Sequence, residues 1–153
     1  MSKFIVAVAI ALFAAYTAPG VGSEPQPTNM KTPHRFDVLL ERLERAVAKH
    51  GLGVVALASA SRGAAARGVK IPGNAVVMVF RNDLAVRLLE ASVPAGIEAP
   101  LRIYVTENAD GTAAISYRLP SAVFARYRHP EVERLARELD TTLARIVNDA
   151  AGG

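Results

Sequence analysis

Residues 100–117 read PLRIYVTENADGTAAISY, and this stretch decides the fold. Leu101, Ile103 and Val105 alternate with other residues, which puts them on one face of a strand. Asp110-Gly111 then supplies the positive φ values that a tight hairpin turn demands. Past the turn, Ala113, Ile115 and Tyr117 share one face again before Pro120 ends the run. Backbone geometry alone accounts for the turn residues, so the hairpin reads as architecture and not as a site.

Two further strands precede the hairpin. VVALAS (54–59) is one, and AVVMVF (75–80) is the other. The second is apolar at every position and rich in β-branched residues, which predicts a strand covered on both sides or lying against a helix. Between them SRGAAARG (61–68) is small enough for a short helical turn. NDLAVRLLEAS (82–92) reads as a short amphipathic helix capped by Asn82 or Asp83 and stopped by Pro94.

Helices flank this core of strands. In RFDVLLERLERAVAKHGLG (35–53), Phe36, Leu39, Leu40, Leu43 and Val47 recur at three and four residues to form one apolar stripe, and Gly51 and Gly53 end it. Near the C-terminus, Pro130 suits a first helical turn, with Glu131 and Glu133 beside the positive end of the dipole. Val132, Leu135, Leu139, Leu143 and Ile146 give that helix a face long enough to cover a sheet. A weak strand before the first helix completes the order. Strands in a run with helices at both ends predict an α+β antiparallel sheet packed by helices on one face.

The N-terminus carries a different message. Lys3 precedes an unbroken apolar run from Phe4 to Ala18, followed by the small residues and proline of PGVGSEPQP. That is the pattern of a signal peptide, with Val21 and Ser23 at the −3 and −1 sites and cleavage before Glu24. The run is shorter and more Ala-rich than a spanning helix requires, so a membrane is a partner only if the segment stays uncleaved. The domain plan is therefore a signal peptide over 1–23, a Pro-rich linker over 24–31 and one domain over 32–150. The localisation expected is export, to a periplasm or the extracellular medium.

With 153 residues, 51% of them apolar and 21% charged, the chain has an ordinary globular composition. It contains no cysteine, which excludes disulfides, thiol catalysis and Cys-based metal sites. The formal charge of +4 is spread along helices among acids, so no nucleic-acid partner is expected.

Several stretches, in order, carry a resemblance: KTPHRFDVLLERLERAVAKHGLGVVA (31–56), AAARGVKIP (64–72), VVMVFRND (76–83) and APLRIYVTENADGTAAISYRLPSAV (99–123). Together they resemble the domain-of-unknown-function 302 (DUF 302) family. The resemblance implies a TATA-binding-protein-like β-α-β(4)-α fold, a homodimer and no established activity. Relatives often show an Asp-His pair after the second strand, whereas this chain has Ser59, Ala60 and Ser61 in ASASRG. The relatives' Phe-Gly-Asn-Pro turn is FRND here, keeping Phe80 and Asn82 but not the glycine or proline.

The candidate site residues are His34, Asn82, Ser116 and Tyr117. His34 stands just before the first helix, in position to bond backbone or to meet a ligand. Asn82 ends an apolar strand and opens a helix, where N–H groups and an amide suit an anion. Ser116 and Tyr117 close the hairpin. His50 suits a helix C-terminus and His129 can cap the last helix. No His pair has metal-ligand spacing, no glycine-rich phosphate loop is present, and no nucleophile elbow surrounds Ser116, so neither a metal nor a cofactor is expected. The resulting expectation is an exported, dimeric, non-catalytic domain that binds a small ligand or a partner protein. The alternative is an enzyme in which His34, Asn82 and Ser116 converge. A third reading, binding to anionic surfaces, needs Arg126, Arg128, Arg134, Arg137 and Arg145 on one free face, against the acids interleaved with them.

Overall fold

The computed structural model describes residues 25–152. The signal peptide lies outside the described residues. The chain forms β1 (Thr28–Thr32), α1 (Phe36–Lys49), β2 (Gly53–Ala58), α2 (Ala60–Ala65), β3 (Asn74–Phe80) and α3 (Asn82–Ala91). A 3-10 segment, Val93–Glu98, leads into β4 (Leu101–Glu107), β5 (Ala113–Tyr117), α4 (Pro120–Phe124) and α5 (Pro130–Ala151).

The five strands make one antiparallel sheet in the order β1-β5-β4-β3-β2. Directly paired residues share a face, so the register separates the two sides. Ala75, Val77, Val79, Ile103, Val105, Ala113 and Ile115 point to one side and are fully buried or nearly so. Helix α1 lays its predicted stripe on that side, with Leu39, Leu43 and Val47 inaccessible to solvent. Leu143, Ile146, Val147 and Ala150 of α5 complete this main core.

Helix α5 has 22 residues and so extends about 33 Å. Its second half serves the main core, and its first half serves another cluster. There Val132, Leu135, Ala136 and Leu139 pack with Leu84 and Leu88 of α3 and with Phe124.

The C-terminal end of α5 is fastened to α1. Arg42 donates from Nε to the Ala150 carbonyl at 2.6 Å and from its terminal nitrogen to the Asp149 carbonyl at 3.1 Å. Cationic donors suit this end, where the last carbonyls lack helical partners. Lys49 Nζ and His50 Nε2 both reach Asp149 Oδ2, at 2.7 and 2.8 Å. These bonds hold the Asp149 carboxyl below its usual range, Lys49 being the larger cause.

Several expectations need revision. The stretch 24–31 is not all linker, because Thr28–Thr32 forms the edge strand β1 against β5. Strand β3 is not covered on both sides: Val76, Met78 and Phe80 are only half-buried, on the side away from α1 and α5. The hairpin loop is longer than a two-residue turn. Glu107 pairs with Ala113, the Gly111 amide donates to the Asn108 carbonyl at 3.0 Å, and of the two turn residues only Gly111 takes positive φ, at 80°. Asp110 instead accepts from the Thr112 amide and hydroxyl, at 2.9 and 2.6 Å. Arg81 occupies the N-cap of α3, so neither Asn82 nor Asp83 does. His129 holds the N-cap position of α5 without a side-chain capping bond, and its Nδ1 is buried with no partner.

Two stability predictions follow from this geometry. A Cβ at Gly111 would meet nothing within 4 Å, so Gly111→Ala costs only the left-handed backbone, about 1–2 kcal/mol, seen as a lower urea midpoint with unchanged slope. A Cβ at Gly63 in α2 also meets nothing, but that residue has no positive φ, and Gly63→Ala is expected to stabilise by up to about 1 kcal/mol. The second concerns pH. Because the Asp149 carboxyl is depressed in the folded state, its contribution is present above the ordinary aspartate range and is lost as pH falls below about 4. Asp149→Asn is expected to flatten the acid limb of a stability–pH curve, measured by urea unfolding between pH 3 and pH 7.

Candidate functional site

The face of the sheet opposite α1 and α5 is the place to look for a site. Tyr104 is 42% exposed there, and Ser116 lies directly across from it on β5. At the end of the sheet where β4 starts and β5 finishes, these side chains enter a cleft of about 370 Å³. Its floor is Val76, Arg102, Tyr104 and Ser116, and Arg118 lies at its side. Pro27 before β1, Leu101, Glu98 from the 3-10 segment and Val123 of α4 form the walls. The volume is at the lower end of the range for small-molecule sites, and the mixture of apolar walls with a few polar groups is typical of them.

Register brings these residues together. Strands β4 and β5 pair Ile103 with Tyr117 and Tyr104 with Ser116. Continuing that register by one residue sets Arg102 opposite Arg118, two like charges on adjacent strands. On its other side Arg102 pairs with Met78. Asn29 of β1 donates from Nδ2 to Ser116 Oγ at 2.9 Å, which engages that oxygen as an acceptor and leaves its O–H to donate. Glu98 Oε1 accepts the Tyr127 hydroxyl at 2.9 Å. Burial, then this bond and the Glu98 charge, push the Tyr127 phenol up, so it remains a donor at neutral pH.

The four candidates do not gather in one place. Ser116 and Tyr117 both border the cleft, but Tyr117 is 8% exposed and belongs to the main core. Burial first, then the Asp140 charge, raise its phenol. His34 is elsewhere: its Nε2 donates to the Ala151 carbonyl at 3.2 Å, at the end of α5. Asn82 is the exposed first residue of α3 and does not line the cleft. Sequence reasoning missed Arg102, Tyr104, Arg118 and Glu98. The first three were within reach of the hairpin, since a turn centred on Asp110 already sets Tyr104 across from Ser116 and Arg102 across from Arg118.

Other polar groups are engaged in structure. Ser59 caps α2 by accepting from the Arg62 amide at 3.2 Å. Ser61 Oγ accepts from the Asn74 amide at 3.1 Å and donates to the Asn74 carbonyl at 3.3 Å. These hydroxyls, which stand where relatives often have Asp-His, tie α2 to the start of β3. Glu107 accepts the Gly73 amide at 2.6 Å, while Gly73 lies so close to the Phe36 ring that a Cβ would come within 2.6 Å of it. On α5, Arg134 pairs with Glu131 and Glu138, and Arg137 with Glu133, so acids interrupt the cationic face that an anionic surface would need. Among the described residues, no group of three His, Asp or Glu side chains is placed to hold a metal, and no helix is long and apolar enough to cross a membrane.

Comparison with known proteins agrees with this architecture. Residues 28–150 match the family described as domain of unknown function DUF302. The fold is similar to the crystal structure of an uncharacterized conserved protein DUF302 from Bacillus stearothermophilus, with a TM-score of 0.72 and 19% identity over 81% of this chain and 97% of that one. No curated protein matches the chain. The match begins at the first residue of β1 and ends inside α5, so it takes in the whole sheet, and the chain belongs to the DUF302 family.

Proposed function

We propose that this protein is an exported, non-catalytic binding domain whose ligand sits in the cleft on the open face of the sheet. The observation that carries this reading is the convergence of Arg102, Tyr104, Ser116 and Arg118 on one partly apolar cleft of about 370 Å³. Nothing comparable supports the enzyme alternative, which needs His34, Asn82 and Ser116 in reach of one substrate. His34 donates to a helix-end carbonyl instead, and Asn82 borders a different part of the molecule. Export is supported by Lys3, the apolar run Phe4–Ala18 and the small residues before Glu24.

A homodimer is a second element of the proposal, and strand β2 supports it. This edge strand reads GVVALA, carries no charge and pairs only with β3. Val54 and Val55 are 38% and 54% exposed. Long uncharged edges invite pairing with another strand. The opposite edge, β1, includes Lys31 and follows Pro25 and Pro27, which discourage it. A bulge between Val54 and Ala56 blunts β2 at one point, while Ala56–Ala58 beyond it keep regular register. A second copy of the chain, pairing β2 with β2, would cover this edge.

Native mass spectrometry of the protein recovered from its own exported fraction tests the first part. The expected result is a chain beginning at Glu24 with one small-molecule adduct, lost when Ser116→Trp fills the cleft. A bare mass in the wild type would remove the small-ligand reading. Sedimentation velocity tests the second part: Val55→Lys is expected to shift a dimer to monomer without changing the far-UV circular dichroism, and a wild type that sediments as a monomer at about 50 μM would remove it.

A further inference from the structure

The cleft also shows what kind of molecule it suits. Its polar groups are predominantly donors: the guanidinium groups of Arg102 and Arg118, and the hydroxyls of Tyr104 and Ser116. Ser116 Oγ already accepts from Asn29, so its remaining hydrogen-bonding role toward a ligand includes donation. The one acid in the lining, Glu98, takes the Tyr127 hydroxyl on Oε1 and offsets one arginine of two. The cleft therefore holds more positive than negative charge.

The placement of the two arginines sharpens the point. In the continued β4–β5 register they stand opposite each other, and the other neighbour of Arg102 is Met78. Like charges directly across a strand pair are unfavourable, and an anion between them reverses the sign of that interaction. The remaining lining is apolar: Pro27, Val76, Leu101 and Val123, with the ring of Tyr104. A purely ionic ligand would leave these walls unused.

Resting on the reading of this cleft as a binding site, we propose that its ligand is a small amphiphile with one anionic headgroup, carboxylate or phosphate, held by Arg102 and Arg118, and an apolar body lying against Val76, Val123 and Tyr104. The headgroup accepts from the two guanidinium groups and from the Ser116 hydroxyl. Charge-assisted bonds of this kind are about twice as strong as neutral ones, so the headgroup provides selectivity while the apolar body adds affinity.

The test uses defined probes and the protein purified after expression of its full-length reading frame. Octanoate and octyl phosphate carry both features, 1-octanol carries only the apolar body, and acetate and inorganic phosphate carry only the headgroup. Binding is measured by calorimetry and located by amide chemical shifts. One or both charged amphiphiles are expected to bind about tenfold tighter than 1-octanol and than their own headgroups, with shifts centred on residues 102–104 and 116–118. Arg102→Met, an exposed position, is expected to remove that advantage and leave 1-octanol unchanged; Arg118→Met provides a second, independent variant. A preference between octanoate and octyl phosphate assigns the headgroup, and either preference supports the proposal. Equal binding of 1-octanol and the charged amphiphiles, at the same residues, would overturn the anionic class while leaving the cleft a binding site. Shifts elsewhere, or no binding of any probe to a chain whose recovered adduct is neutral, would overturn it as well.

Discussion

The structure depends on one buried interface, the apolar face of the sheet under α1 and α5. Val77, Val79, Ile103, Val105 and Ile115 on the sheet meet Leu39, Leu43, Val47, Leu143 and Ile146 on the helices, all at most 1% exposed. With no cysteine in the chain, this packing is not reinforced by disulfides. Burial of large aliphatic side chains contributes about 1.5–3 kcal/mol each before chain entropy is counted, so removing any of them affects the whole domain. The end of α5 is then pinned by Arg42, Lys49, His50 and His34, which fix the helix along its axis and over the sheet.

One covered face implies one open face. Both long amphipathic helices are used on the same side, so Val76, Met78, Tyr104 and Ser116 are left facing away from them. Antiparallel sheets tolerate this, because alternate residues belong to opposite faces and each face can have its own chemistry. The cleft exists because Glu98 before β4 and Val123 after β5 rise beside the end of that open face. Hairpin architecture and binding surface are thus the same residues read on alternate sides: Ile103, Val105, Ile115 and Tyr117 support the core, while Arg102, Tyr104 and Ser116 line the cleft.

Much of the fold was legible from local pattern. The period-two alternation of 101–105 and 113–117 and the three-and-four spacing of 36–47 and 132–146 each mark an element and its buried face. β1 was harder, since TNMKT has no apolar alternation and is a strand through its ladder with β5. The open side of β3 was read as covered because Val76 and Met78 are as apolar as the buried Val77 and Val79. Apolar character alone does not say whether a layer lies above it. The cap positions shifted by one residue at α3, where Arg81 takes the extended conformation that was expected of Asn82 or Asp83.

The sequence by itself determined the elements, their buried faces, the hairpin and the absence of thiol chemistry, because these follow from residue type and short-range period. Only the tertiary structure decided which polar residues meet. Ser116 and Arg102 share a cleft through strand register, and His34 is drawn 117 positions along the chain to a helix-end carbonyl. Such encounters depend on how far α5 reaches, where the walls rise and which face is left bare. Those are properties of the packed whole, and no local window of the chain encodes them.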